Sequence, residues 1–400
     1  MKVYVVEAGV RISPFNDLAC DAEILGKNLS AVQAEVFLEL GLEVSTSPPT
    51  DEEFLLVSSR TWFTAETIVQ FLEVASPGER LRIDDDLFCD SAAKLQELPE
   101  DGVYEIGLVP KGGEATFESM IPVVIDARVE RKPAPKEHPA LAHAMPTELP
   151  FTDVGVHQID HWSHILRANW MAISCSFARE HRKFKRRNFV SKAFAIIWFL
   201  LRARSLSKWK LARALSVIGK GSSIHPTAVV EASVIGEGVE IGPYAVVRGS
   251  NIGDGCKIEE HTTVNASVLG KGAKVGRFGM ANLSVLYSGA FVGAANGYQA
   301  TIVGRDAFLA WSVTVFDLSF GEHIKVSHRG ERVSSGSFFL GAAVGHRARI
   351  GAQVSIGYGT EVPNDSFLVG SAENVMRRWV DGEGPHRVID GVATPIKSGT

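Results

Sequence analysis

The 400-residue sequence predicts an α/β layered domain joined through a basic helical segment to an all-β solenoid with three flat faces. Aliphatic residues recur at fixed spacing through the C-terminal half, while strand-like and helix-like stretches alternate through the first third. Each is the hydrophobic periodicity that such an architecture requires. A sharp change in charge between the two marks the boundary.

The solenoid reading rests on a ladder that starts at Ile224 and steps six, five, six through Val230, Ile235 and Ile241 to Val315, Phe320 and Val326. The short step always begins at the same place, as at Val230, Val247, Val264 and Ala281, so the true repeat is seventeen residues in three segments. One inward aliphatic per segment gives a coil of three very short strands, each stacked on its counterpart one turn away, and such a coil buries a continuous core only when several stack. The residue after the inward one is usually glycine (Gly236, Gly242, Gly253, Gly270), where a Cβ would crowd the corner or a positive φ is wanted. The next rung after Val326 falls on Arg332, which cannot face a dry core unpaired. Residues 327–337 therefore read as a polar excursion, and the ladder resumes at Phe338, Val344, Ile350, Ile356, Val362 and Leu368. This stretch, set as a domain at 221–370, resembles the hexapeptide-repeat, left-handed parallel β-helix family. The resemblance implies an acyltransferase, a homotrimer, and acyl-CoA sites between neighbouring prisms.

Within 1–156, strands are expected at Val3–Val6, 53–57, 80–83, 103–109 and 123–125, with helices at 31–40 and 64–73, giving a mostly parallel sheet. The opening Val6-Glu-Ala-Gly-Val-Arg-Ile-Ser-Pro, with Leu25-Gly-Lys-Asn-Leu, is similar to sugar-1-phosphate nucleotidyltransferase domains, which have a Rossmann-like fold. That resemblance implies a turn of Ala8, Gly9 and Arg11 against nucleotide phosphates, where glycine lets backbone N–H groups approach the oxygens. The loop is two residues shorter than the family's, and Leu56-Val-Ser-Ser-Arg60 lacks the metal-binding Asp, leaving Asp84, Asp85 and Asp86 as the candidates for Mg2+. Pro133, Pro135, Pro139, Pro146 and Pro150 make 127–156 an extended connector.

The connector 157–220 is helical and strongly basic. His157, His161 and His164 fall at i, i+4 and i+7, near one helical face, and read either as a zinc site or as packing and capping residues beside Trp162. Between Arg179 and Arg213 the chain has twelve Lys or Arg against one acid, Glu180, although its total charge is −5. The apolar run Ala193–Leu201 inside this segment is nine residues, too short to cross a ~30 Å hydrocarbon core. It suits an anionic membrane surface, or a helix docked on the first coil or a neighbouring subunit. No recognition motif for nucleic acid accompanies it. Residues 371–400 read as a capping helix over 372–380 and a loose tail. Met1-Lys-Val-Tyr-Val-Val enters a strand at once without a signal peptide, and Cys20, Cys89, Cys175 and Cys256 have no metal-like spacing, so a cytoplasmic protein, peripheral at the inner face of the membrane if the basic helix docks there, is expected.

In domain order the whole resembles bifunctional uridylyltransferase/acetyltransferases of UDP-N-acetylglucosamine synthesis. Sugar nucleotide or sugar phosphate and acyl-CoA are then the expected partners, and a non-catalytic trimeric scaffold or nucleotide-sensing module is the alternative. Acyl transfer needs a group that takes the nucleophile's proton, and histidine does so near neutral pH. His346, at a turn expected to point out of the prism, is the first candidate base, and His328 beside the excursion the second. Arg347 and Arg349 are placed to meet CoA phosphates.

Overall fold

The computed structural model describes all residues except 93, 99, 101, 135–145, 205–206, 372, 374, 382–385 and 396–400. Its C-terminal part is the expected three-sided prism. Val230 pairs in parallel with Val247, Val247 with Val264, and Ile235 with Ile252, so each coil repeats the last. The three resulting sheets have eight, eight and seven strands. They begin at Val217–Ile218, Ser223–Ile224 and Val229–Glu231, and are called here the first, second and third faces. Val247, Val264, Leu269, Val275 and Leu286 are fully buried along one aliphatic column, with Ala245, Ala273, Ala290 and Ala307 among the smaller residues that complete it. Each buried Val or Leu contributes roughly 1.5–3 kcal/mol, so the column is the main source of the prism's stability.

The glycine after each inward residue is there for space. A Cβ on Gly236 would stand 2.5 Å from Asp254 Oδ1 and 2.7 Å from the Asp254 backbone nitrogen. Positive φ belongs to a separate corner position, where Gly238, Gly255 and Gly272 stand in successive coils.

Register holds to Val315 and then departs from the expectation. Phe320 is 71% exposed, and Val326, though buried, belongs to a different core. Val303 pairs with Val344 and Val315 with Ile356, so the excursion fills one coil between Val315 and Ala343 and is longer than 327–337. The bridge Leu318 to Phe339 closes its base, and Lys325–His328 pairs antiparallel with Glu331–Ser334. Arg329 and Gly330 both have positive φ (49° and 82°), the backbone that a two-residue hairpin turn requires. The ladder resumes at Val344, because Phe338 lies in the excursion.

The N-terminal sheet runs in the order Ile121–Val124, Glu79–Arg82, Val103–Val109, Phe54–Ser58, Lys2–Val6, Glu43–Ser45. It is mixed: Val103–Val109 is antiparallel to both neighbours. The chain turns back at Gly102, whose carbonyl accepts from the Ile83 N–H at 2.8 Å and where a Cβ would stand 1.9 Å from Ile83 O. Helices α1 (Leu29–Glu39), α2 (Ala65–Val74) and α3 (Asp86–Ala92) accompany this sheet, and its core joins Phe37, Ile68, Phe71 and Phe88 to Val3, Leu55 and Leu81. Residues 130–133 and 148–151 of the proline-rich connector pair antiparallel.

Two hairpins leave this domain, Arg11–Ile12 with Asp17–Leu18 and Glu23–Ile24 with Lys27–Asn28. Together with α4 (Trp162–Arg186) they lie over the first face of the prism. Ile12, Phe15, Ile24, Trp162, Ile165 and Leu166 form one buried cluster with Val268, Val285, Ile302 and Ala343 of that face and with Val326 of the excursion. From Val268 to Ala343 this prism face is thus covered by its own chain, whereas Val217 and Val234 at its start are exposed. Beyond α4, the basic segment continues as α5 (Phe189–Ala203) and α6 (Lys208–Ala214). At the C-terminus the described residues of 372–380 include strand Arg378–Trp379 in place of an α-helix, and strands His386–Ile389 and Val392–Pro395 lie beside it within the stretch expected to be a loose tail; 372, 374, 382–385 and 396–400 lie outside the described residues.

Candidate functional site

His346 points out of the prism, as expected, but the chain's own N-terminal hairpins cover it. It is 3% exposed, at the centre of the joint between the N-terminal hairpins and the first face. Its Nδ1 accepts from the Arg305 backbone N–H at 2.8 Å, which places the ring proton on Nε2, and Nε2 donates to Asp17 Oδ2 at 3.0 Å. The ring packs against Phe15 and Tyr287, with centroids 5.1 and 5.9 Å away. Both nitrogens are therefore engaged, and a base needs a free lone pair aimed at substrate. Burial by itself would raise the Asp17 carboxyl, but the hydrogen bonds and charges of His346 and Arg305 outweigh it and hold Asp17 below the usual range. Burial pushes Glu23 up despite Arg305. The Glu23 N–H donates to Tyr287 Oη (3.1 Å), and Asn364 Nδ2 donates to the Phe15 carbonyl (2.7 Å). These contacts fasten the two domains together.

The phosphate-loop residues are likewise committed. The Ala8 N–H donates to Ser59 Oγ at 3.0 Å, and Arg11 Nη1 donates to the Asn16 carbonyl of its own hairpin at 2.7 Å. Gly9 has the positive φ (64°) of a turn. Beyond it the chain enters a hairpin, and the next α-helix begins only at Leu29, so the turn does not run directly into a helix N-terminus as a phosphate-binding loop does. Asp85, a candidate for Mg2+, accepts from the Phe88 N–H at 2.9 Å and so caps α3. Among the described residues no group of three or more His, Cys, Asp or Glu is arranged to hold a metal ion.

His157, His161 and His164 come together, although not on one helix. His157 lies in strand Val156–Gln158, His161 is the N-cap of α4, and His164 completes its capping box. His164 Nδ1 accepts from the N–H groups of Asp160 and His161, and Nε2 sits 3.1 Å from the Lys94 carbonyl. Burial drives all three below the usual histidine range, and all three pack inside the core. His328, in the excursion hairpin, has Nε2 3.3 Å from Glu97 Oε1. With Arg329, which pairs with the same carboxylate, it pins the excursion to the N-terminal domain.

The prism edge opposite the covered first face, between the second and third faces, remains open. Along it Tyr244, His261 and Phe278 stand one coil apart, their rings stacked with centroids 5.0 Å apart in each pair. All three have φ near +57°, which turns each side chain out from the same corner. His261 is exposed, and neither ring nitrogen has a protein hydrogen-bond partner among the described residues. Beside this edge a cleft of about 380 Å³ is lined by Ser223, His225, Glu240, Lys257, Glu260 and Arg277, among others. At the far end of the second face a second cleft, of about 410 Å³, is lined by Asp306, Arg347, Arg349, Asp365 and Phe367. Arg347 makes a bidentate pair with Asp365, both bonds 2.7 Å. Arg349 stands between Phe308 and Phe367 in one outward column.

The structure thus separates the sequence candidates: Arg347 and Arg349 share an open cleft, while His346, His328 and Arg11 serve joints within the chain. The exposed edge was missed. Its signal was a second period, Tyr244, His261 and Phe278 at intervals of seventeen.

The bacterial transferase hexapeptide pattern (six repeats) matches residues 216–249, two coils of the prism. No curated protein matches the chain. Among solved structures, the polysialic acid O-acetyltransferase OatWY is similar at 17% identity, over 46% of this chain and 92% of its own, with a TM-score of 0.18. A superposition that loose equates no residue of one with a residue of the other.

Proposed function

We propose that the protein is an acyl-CoA-dependent acyltransferase whose site lies on the open edge of the prism, with His261 as general base. The observation that carries this is His261 itself: exposed, held rigid between two rings, with both nitrogens free, beside a cleft that contains Lys257 and Arg277. The hexapeptide transferase match over the first two coils supports the class of reaction. An acceptor hydroxyl or amine attacks the thioester carbonyl carbon, and the imidazole takes the proton released as the acyl–oxygen or acyl–nitrogen bond forms. The carbon–sulfur bond then breaks, and the same proton passes to the departing CoA sulfur. Arg349, flanked by Phe308 and Phe367, suits the phosphate and adenine parts of CoA, with Arg347 at its side.

A homotrimer belongs to this reading. Tyr244, Phe278, Trp311 and Phe316 along and beside the open edge are 59%, 65%, 67% and 53% exposed, which favours contact between copies there. Because the first face is covered in cis from Val268 to Ala343, this edge and its two flanking faces are the parts of the prism that favour assembly. In the N-terminal domain the hairpin after Gly9 and the bond from Arg11 to Asn16 favour a structural clamp over a nucleotidyltransferase. The acceptor is therefore proposed by its chemistry alone, without a bound sugar nucleotide or Mg2+ in the first domain.

Calorimetry with acetyl-CoA and with a panel of sugar nucleotides, followed by release of free CoA thiol in the presence of amino and hydroxyl sugars, tests both parts. Acyl-CoA binding and transfer are expected, with no sugar-nucleotide binding that depends on Arg11. Binding of a sugar nucleotide that Arg11→Ala abolishes would restore the nucleotidyltransferase reading, and no transfer from any acyl-CoA would leave a scaffold.

A further inference from the structure

Helix α5 is turned inside out for a helix in water. Val190, Phe194, Ile197 and Leu201, spaced four, three and four residues apart, form one stripe, and they are 75%, 70%, 57% and 70% exposed. Phe189 (84%) and Trp198 (54%) widen it. Ala203 is the buried residue of α5, and the helix lies against α6, which also carries Trp209, 56% exposed. The apolar run is therefore not docked on the first coil.

Its charges are equally unbalanced. From Arg186 to Arg213 the sequence has eight Lys or Arg and no acid. Arg179, Arg182, Lys183 and Lys185, just before it, are paired with carboxylates. Among the described residues, none of the eight from Arg186 onward has such a pair. Lys208 lies over the Trp209 ring at 4.7 Å, and the Arg202 guanidinium lies 5.6 Å from the Trp198 ring. No described helix is long and apolar enough to cross a membrane.

We propose that α5 and α6 form an interfacial anchor, with the stripe Val190, Phe194, Ile197, Leu201 lying among the acyl chains of an anionic bilayer and Arg186, Arg187, Lys192, Lys208 and Lys210 meeting lipid phosphates. Apolar residues buried a few ångströms deep and flanked by cations are what this mode of binding requires. The charge pattern favours a lipid surface over a second copy, because an isologous contact through this patch would set cation against cation. Such an anchor does not depend on the acyltransferase reading. It places the first coil of the prism nearest the bilayer, since α6 packs against strand Val229–Glu231.

The test is co-sedimentation of the full chain with vesicles of phosphatidylcholine alone and with one-fifth phosphatidylglycerol, at low and high salt. Binding to the anionic vesicles should be at least tenfold tighter than to the neutral ones, and should fall at least tenfold as salt is raised. The variant F194S/I197S/L201S and the variant R186E/R187E/K192E should each lose binding; both change exposed or half-buried positions, and an unchanged melting curve verifies folding. Equal binding to both vesicles, or binding to neither, overturns the proposal. So does concentration-dependent self-association that F194S/I197S/L201S abolishes while vesicle binding is absent, which would make the stripe a contact between copies.

Discussion

The middle of the prism's first face and the edge opposite it are built from the same seventeen-residue repeat, yet one is sealed and the other open. The difference lies in the outward residues, which the inward ladder does not constrain. On the first face successive coils present Val268, Val285, Ile302 and Ala343, all buried beneath the N-terminal hairpins and α4. On the second face the equivalent column reads Glu240, Lys257, Lys274, Phe291, Phe308, Arg349. A repeat fold therefore carries two codes, one for the solenoid and one for what each face meets. Histidines follow the same division: His346 at the sealed joint is a structural element, while His261 at the open edge is exposed between two rings.

The sharpest way to break the comparison is to exchange the roles of these histidines. His261→Ala should lower kcat for acyl transfer by ~10²–10⁴ with the melting curve unchanged. His346→Ala should do the reverse, lowering the melting temperature while the folded fraction keeps its kcat. Stopped-assay kinetics on the two variants decide it, and a large loss of kcat confined to His346→Ala would reverse the assignment.

Stability offers a second contrast. Ile302→Asp places a charge in the sealed cluster and should cost roughly 3 kcal/mol or more in urea denaturation. Thr314→Asp, outward on the exposed third face, should change stability by no more than ~0.5 kcal/mol. Comparable losses would mean that the first face is not sealed in solution. Assembly should respond in the opposite sense: Phe278→Glu is expected to turn a trimer into monomers by light scattering, and Ile302→Asp is not, as long as the chain is folded.

A third contrast is the effect of pH on the joint. Asp17 has a lowered pKa in the folded chain, so the stability it contributes is present above its unfolded value and is lost as pH falls through the folded one. Asp17→Asn should cost about 1.5 kcal/mol at neutral pH, as expected for a charged hydrogen bond. The difference from the unmutated protein should shrink below pH ~4. A cost that is the same at acid and neutral pH would remove Asp17 from the linkage.

The inward ladder could be read from the sequence because a dry core accepts only aliphatic residues at fixed intervals. The length of the excursion could not: Phe320 and Val326 fall on the ladder's spacing by coincidence, and Val326 is apolar because it joins the buried cluster of Ile12 and Trp162 outside the prism. Helices α1 and α2 of the first domain were legible in the sequence and α3 was not, whereas the direction of Val103–Val109 was set by a close approach at Gly102 to Ile83, a tertiary contact. His346 was placed on the correct corner. The space outside that corner is filled by Phe15 and Asp17, residues too distant in sequence for local pattern to connect.

That distance has a consequence for synthesis. Asp17 and His346 are 329 residues apart, and Glu23 and Tyr287 are 264 apart. At ~5–20 residues per second, the N-terminal hairpins leave the ribosome on the order of half a minute before the surface that will cover them. Through that interval Ile12, Phe15 and Ile24 belong to a domain whose sheet can already close but whose apolar arms have nothing to lie on. The nascent chain is thus sticky early and satisfied late, and a truncation that removes the last coils should leave a polypeptide that engages chaperones through its first thirty residues.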